Sequence, residues 1–384
     1  MPTAADGLTV NAFARGLNHP RSILVLPNGD VLVAESNAPP KPKEQSQGIR
    51  GFVMKMVMDR AGAGVPSPNR VILLRDKDGD GTAEVRTEYI EGLKSPFGLA
   101  LVGDRLYVAN ADSVVAFPYQ AGADRIDSSP EKIVDLPGGP LNHHWTKSLI
   151  ASEDGKYLYV GVGSNSNVTE NGMDMEKDRA AVLQVDIAAK SYRPFATGLR
   201  NPVGMAWEPD TKTLWTVVNE RDELGSDLVP DYLTKVTEGG FYGWPYSYYG
   251  THVDERVSPQ RPDLVAKAIV PDYALGSHTA SLGLAFHDGQ GWPARFGKGA
   301  FIAQHGSWNR NPLSGYKVAF VSFEAGRPKG ELRDVLAGFV NSDGEALGRP
   351  VSVAFDRSNA LLVTDDVGNA VWRVVAGPQA NAAN

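Results

Sequence analysis

Two histidines, three arginines and one run of acidic residues are the groups in this chain whose type and spacing could do chemistry. His143 and His144 precede a hairpin made of the strand Ser148 to Ala151, the turn Glu153-Asp154-Gly155 and the returning strand Tyr157 to Val162. The open ends of a hairpin lie side by side, so the histidines share an edge with Ser164 and Asn165. Neighbouring residues alternate in direction, and only one imidazole of the pair can face a channel. A neutral imidazole there can take the proton of a substrate hydroxyl. Arg200, followed by Asn201, and Arg349 open two other hairpins; a guanidinium can grip a carboxylate bidentately or steady a developing oxyanion. Arg21 opens a third. The acidic run is DKDGDGTAE at residues 76–84. Asp76, Asp78, Asp80 and Glu84 set four carboxylates around a glycine-assisted turn, which suits the about six to eight oxygens of a Ca²⁺ shell. It is not an EF-hand, because position twelve is Thr87 and no helices flank it. The same residues also read as an acidic, solvated turn without metal.

These groups need a scaffold that brings strand ends together. Six segments share one grammar of polar start, apolar strand, Asp/Asn/Gly turn and second strand with a polar exit. They are PRSILVLPNGDVLVAES from Pro20, PFGLALVGDRLYVANAD from Pro96, the hairpin above, NPVGMAWEPDTKTLWTVVNE from Asn201, ASLGLAFHDGQGWPARFGKGAFIAQHG from Ala280, and RPVSVAFDRSNALLVTDD from Arg349. Outer strands are expected at Gly51 to Met58, Val182 to Ile187, Lys317 to Phe323 and Ala370 to Val374. No stretch sustains a helical apolar period between caps. The expectation is an all-β, six-bladed β-propeller with about four strands per blade, forming one domain over 1–384 with flexible ends at 1–7 and 378–384. If each hairpin is the inner part of a blade, its open end faces one rim. The strand starts then bring Arg21, Ser95, His144, Arg200, Asn201, His278 and Arg349 to that rim. The exits bring Glu35, Asn110, Ser164, Asn165, Asn219, Glu220, His305, Asp365 and Asp366.

Composition excludes several functions. Among 384 residues 42% are hydrophobic, enough for a sizeable core, and 41 Gly with 26 Pro fit a turn-rich β protein. A net charge of -7 without any basic run argues against a nucleic-acid groove. With no Cys there is no disulfide, thiolate metal site or thiol nucleophile. No apolar stretch approaches the about 18 residues of a membrane span. The start, MPTAADGLTV, lacks the basic and apolar regions of a signal peptide, so a mature form is expected.

HHWTKSL from His143, GLRNPVGMAWEPD from Gly198 and FYGWP from Phe241, in this order on six hairpins, resemble the soluble pyrroloquinoline quinone (PQQ)-dependent sugar dehydrogenases, which include glucose and sorbosone dehydrogenases. HGSWNR from His305 and DYLTKV from Asp231 lean towards the sorbosone or pyranose branch. The resemblance runs from Leu17 to Val374. It implies PQQ and Ca²⁺ as cofactors, and base-assisted hydride transfer from an aldose, pyranose or related aldehyde. It further implies an external electron acceptor (a cytochrome, a quinone or a dye) and a periplasmic or secreted location. Residue by residue it makes His144, five before Leu149, the general base. Arg200 and Asn201 contact the cofactor and the reacting centre, and Arg349 binds a cofactor carboxylate. Arg221, Asp222 and Glu223 hold the cofactor's calcium, partly through backbone carbonyls, and Asp231 belongs to another possible calcium position at 227–231.

The chain also departs from that family. Ser164 stands where an aspartate orients the histidine, and His143 where another aspartate is expected. Val351 replaces a second cofactor arginine. The fifth-blade lysine is missing, with the segment of His305, Trp308 and Arg310 in its place. Tyr242 and Trp244 read as packing residues rather than a substrate platform. Two other readings stay open. One is a metal-dependent six-bladed lactonase using Glu35, Asn110, Asn165 and Asp365; the other is a noncatalytic propeller that binds a protein or glycan.

Overall fold

The structure is a computed structural model that describes residues 1–40 and 65–377. The strand expected at Gly51 to Met58 lies outside the described residues. Elsewhere each expected hairpin forms the inner half of an antiparallel sheet. The first blade is Pro20–Val25, Val31–Glu35, Arg70–Arg75 and Val85–Ile90, and the second is Leu99–Val102, Arg105–Ala109, Ser113–Pro118 and Glu131–Asp135. The third is Lys147–Ala151, Tyr157–Val162, Ala181–Asp186 and Ser191–Thr197, and the fourth is Pro202–Trp207, Leu214–Val218, Pro230–Lys235 and Tyr273–Ser277. The fifth contains Ser281–Asp288, Lys298–Gln304, Lys317–Glu324 and Arg327–Ala337, with Thr3–Ala4 added at its edge. The sixth runs Pro350–Phe355, Leu361–Asp365 and Ala370–Ala376, and its outermost strand is Leu8–Arg15 from the other end of the chain. Pairing of Leu8 with Ala376 and of Arg15 with Ala370 closes the ring. The architecture is a six-bladed β-propeller.

Alternation along the strands explains why the blades stack. Within Val31–Glu35, Leu32 packs towards the second blade with Leu106 and Val115, whereas its neighbour Val33 packs towards the sixth with Leu362 and Val371. Leu158 and Tyr159, or Leu214 and Trp215, divide in the same way between their two neighbouring blades. Each second strand therefore carries apolar residues on both faces, and the core is a set of inter-blade layers.

At the rim the inner strands are bent. Register shifts follow Pro20, Pro202, Ser281 and Pro350, the first residues of four inner strands. Proline cannot donate to the ladder, so it is tolerated at a strand start, and a bulge re-aims the residues beside it. Arg21, Asn201 and Arg349 flank three of these prolines. Beneath them Phe97, Trp145, Val203, Leu282 and Val351, one from each of five blades, form a buried apolar floor across the channel. Val351, where a second cofactor arginine was expected, is a buried member of that floor. Tyr242 and Trp244 are buried and bonded inward, the first to the Lys235 carbonyl and the second to that of Asn167 at 3.0 Å, as packing residues should be.

Candidate active site

His144 sits half-buried where the third hairpin opens, and His143 beside it is exposed. The His144 Nδ1 lies 2.8 Å from the Ser164 carbonyl and 3.1 Å from the Ser164 hydroxyl. A carbonyl only accepts, so Nδ1 carries the proton and Nε2 keeps its lone pair. Burial, and then the charge of Arg200, hold this imidazole well below its usual 6.5, so it is neutral at physiological pH. Gly163 makes the approach possible: a Cβ there would stand 2.4 Å from the His144 Cβ and 2.3 Å from the Asn201 amide oxygen. The family's missing aspartate is thus replaced by a backbone carbonyl with a hydroxyl beside it.

Arg200 reaches the same rim from the fourth blade. Its guanidinium donates to the Glu220 carbonyl at 2.6 Å and the Asn167 amide oxygen at 3.0 Å, and pairs with Asp222 at 3.5 Å. The Arg200 Nε and the Asn201 Oδ1 are buried without protein partners, polar atoms that a bound molecule could satisfy. The Asp222 carboxylate also accepts from Asn309 at 3.0 Å and pairs with the His278 Nδ1 at 3.3 Å. Burial pushes this carboxyl up, but His278 and Arg200 outweigh it and hold it below the usual range. In return the Asp222 hydrogen bond raises His278.

The remaining cations meet across the channel. Arg21 bonds Asp366 and lies 5.8 Å from both Phe97 and Trp145, over the apolar floor. His305 bonds the same carboxylate at 2.9 Å, and His19 approaches it at 3.6 Å. Burial lowers His305, with the charge of Arg349 adding to it, while Asp366 is driven far below the carboxylate range by His305 and Arg21 against its own burial. Arg349 donates to the carbonyls of His305 at 2.9 Å and Gly306 at 2.7 Å, and stands 5.3 Å above the Tyr316 ring. Arg310 does not join this group: it holds the Ser226 carbonyl at 3.0 Å and pairs with Asp227 at 3.2 Å. Arg21, Arg200 and Arg349 thus bring three positive charges to the rim against Asp366 and Asp222. A planar, multiply anionic ligand fits this donor set and the apolar floor beneath it.

The expected calcium residues divide into three environments. Arg221 is fully buried, its guanidinium bonded to Glu220, Asp254 and the carbonyls of Pro245 and Ser247, so only its main chain is available. The Asp222 carbonyl already accepts from Asn167 at 3.1 Å and Arg256 at 3.0 Å. Glu223 follows at a positive φ of 70°. Asp231 accepts from the Glu220 N–H, the Thr279 hydroxyl and the Ser281 N–H, and burial pushes it up to about 6. Asp76, Asp78, Asp80 and Glu84 lie at the opposite end of the first blade, between its third and fourth strands, with one ligand atom from each within 4.8 Å of the others. The oxygens proposed for a lactonase metal are engaged. Glu35 takes the Asn18 N–H and Arg70, Asn110 takes the Lys94 N–H, and Asn165 takes Asn171. Asp365 takes the Arg349 and Gly368 N–H groups and the Trp372 indole.

Sequence reasoning missed His19, Asn167, Glu176 and Arg179. Asn167 carried the one available signal, a third polar residue after Ser164 and Asn165. The other three lie in loops whose partners no local pattern reveals.

Comparison with known proteins finds relatives of this fold. The Hypocrea jecorina protein named pyrroloquinoline quinone-dependent sugar dehydrogenase is 22% identical over 307 residues, covering 73% of this chain and 64% of that protein. The holo PQQ domain of pyranose dehydrogenase from Coprinopsis cinerea superposes with a TM-score of 0.77 at 19% identity, over 98% of this chain and 97% of that one. The calcium structure of a Trichoderma reesei carbohydrate-active enzyme of family AA12 gives 0.77 at 20% identity, again over 98% and 97%. Among the described residues no helix is long and apolar enough to cross a membrane. The sequence model of the TrAA12-like family matches residues 56–237 and 261–376, and the chain belongs to that family.

Proposed function

We propose that this protein is a PQQ-dependent dehydrogenase that oxidises an aldose, pyranose or related aldehyde. The observation that carries the reading is the convergence of a neutral His144 bearing a free Nε2 lone pair with Arg200, Asn201 and Arg349 above one apolar floor. The names of the Hypocrea and Coprinopsis relatives support it. In this reading His144 Nε2 takes the proton of a hydroxyl on the carbon being oxidised, and that carbon gives up a hydride. Arg200 and Asn201 steady charge at the reacting centre, while Arg349, held in place through His305 and Gly306, grips a carboxylate. When bound, PQQ would supply a two-electron hydride acceptor that an external cytochrome, quinone or dye re-oxidises. A calcium ion beside it would be held by main-chain carbonyls of the loop at Arg221 and Glu223, since the Asp222 carboxylate is committed to Arg200, His278 and Asn309. The calcium structure of the Trichoderma enzyme supports the choice of ion. A periplasmic or secreted location goes with the same reading.

Reconstitution with PQQ and Ca²⁺, followed by the quinone absorption spectrum and dye-linked oxidation of a sugar and aldehyde panel, tests it. A shifted quinone spectrum with turnover on at least one sugar is expected. An unshifted spectrum with no turnover would overturn the assignment. Replacing Arg349 by Ala should weaken PQQ binding by about 10- to 100-fold, the loss of a charge-assisted hydrogen bond worth roughly 1.5–3 kcal/mol. Calorimetric titration of the apo variant checks this, and parental affinity would remove Arg349 from the pocket.

We further propose that Asp76, Asp78, Asp80 and Glu84 hold a Ca²⁺ ion. Four close carboxylates repel one another unless a cation neutralises them, and here turn N–H groups such as those of Gly79 and Gly81 donate to Asp76. Calcium added to chelated protein should release heat that Asp78→Ala abolishes. Amide exchange over 76–84 should slow at the same time. Absence of both effects would leave the run as a solvated turn.

A further inference from the structure

We infer that Glu176 is a positioning residue for His144, fixing the Ser164–Ser166 turn that orients the imidazole. This inference rests on the reading of His144 as the base. An imidazole rotates freely about its Cβ–Cγ bond, so a base on a rim needs something rigid at Nδ1. In this chain that something is the carbonyl and hydroxyl of Ser164, which lie beyond the end of strand Tyr157–Val162 and outside any ladder. The turn must be held by other means.

One hold is the Ser164 N–H, which donates to the Arg200 carbonyl at 2.7 Å. The other is Glu176, on a short 3₁₀ turn at Met173–Glu176. One of its carboxylate oxygens accepts the Asn165 N–H at 2.6 Å and the other accepts the Ser166 hydroxyl. The Ser166 oxygen in turn accepts the Thr169 N–H at 2.8 Å. The Ser164 hydroxyl donates to the Ser166 carbonyl at 2.6 Å, which leaves its lone pairs towards His144. Glu176 thereby holds two consecutive residues, and the Ser164 hydroxyl ties the third to them. Glu176 is buried and makes no salt bridge among the described residues; the nearby cation Arg179 braces the other arm instead, through Asn142 and the carbonyls of Gly138 and Gly163. A buried carboxylate without an ion pair costs stability, and burial accordingly raises its pKa. Its two acceptor oxygens match the two donors of the turn, a match that an amide offers only in part. The chain lacks the aspartate that would orient His144 directly, and Glu176 serves that purpose one layer further back.

The test compares Glu176→Ala, Glu176→Gln, Ser166→Ala and His144→Ala, each loaded with PQQ and Ca²⁺. The readouts are kcat, KM, quinone affinity and the proton resonance of the His144 Nδ1–H. Glu176→Ala should lower kcat about 10²-fold, the scale of a roughly 1 Å misplacement of a catalytic group. KM and quinone affinity should stay at the parental values, and the Nδ1–H resonance should broaden or vanish. Glu176→Gln and Ser166→Ala should fall between this variant and the parent. Parental kcat with an intact resonance in folded Glu176→Ala overturns the inference. If that variant does not fold, the same result in Glu176→Gln overturns it. Should His144→Ala keep the parental rate, it is the base assignment that fails, and the Nδ1–H resonance of the Glu176 variants alone then decides whether Glu176 positions the ring.

Discussion

Replacing His144 by Ala should lower turnover by about 10² to 10⁴, the usual contribution of a positioned general base, while quinone affinity stays at the parental value. The separation is expected because His144 presents only Nε2 to the rim, whereas the cationic groups that would hold the quinone are Arg200, Arg349 and Arg21. His143→Ala should be far milder, since that residue is exposed and its neighbour holds the position facing the rim. The pH profile supplies a second, independent check. Burial and Arg200 keep the folded imidazole below 6.5, so the fraction in the base form stays complete as pH falls through 6.5. The acid limb of kcat should therefore inflect below that value. A loaded His144→Ala enzyme that oxidises sugar at the parental rate across pH would end the proposed chemistry while leaving the propeller intact.

How much of this could be read from the chain depends on whether the relevant contacts are local. The six inner hairpins were legible because strand alternation and turn chemistry act within about twenty residues. Ring closure was not. Leu8 and Ala376 pair from opposite ends of the chain, and nothing in LTVNAFAR says which sheet it completes. The rim residues were legible as positions, since any residue at the open end of an inner hairpin must face the channel mouth. Their partners were not, because ion pairs form between blades. His305 was expected to touch the cofactor, and its ring is bonded to Asp366. Asp222 was expected beside calcium, and its carboxylate lies between Arg200 and His278. Val351 looked like a missing arginine when read along the sequence, and in the fold its side chain is buried with Phe97, Trp145, Val203 and Leu282. The positive charge comes instead from Arg21, on the neighbouring blade.

Loss of Asp366 should cost the apo protein about 3–5 kcal/mol, the penalty for leaving a buried charge without its partner. Its carboxylate is nearly inaccessible and binds Arg21 and His305, with His19 close by. Asp366→Ala strands the Arg21 guanidinium above an apolar floor and leaves the His305 ring without its acceptor. Denaturant unfolding of the apo variant measures the loss, with exposed Asp343→Ala as the comparison, expected to stay within about 0.5 kcal/mol of the parent. The sign with pH follows from the depressed carboxyl. Unfolded aspartate takes up protons near 3.8 and folded Asp366 does not, so its contribution is complete above that value and is lost only as pH falls below it. The gap between parent and variant should hold from pH 7 down to about 5 and close in stronger acid. His144 and His305, held below 6.5 when folded, weaken the parent over a different range, because unfolding lets them take up protons as soon as pH drops under 6.5. Excess PQQ should restore part of the stability that Asp366→Ala loses, since an anionic ligand at the rim can neutralise the stranded Arg21. A variant as stable as Asp343→Ala would mean that Arg21 is neutralised by something other than Asp366, and the electrostatic account of the rim would fall with it.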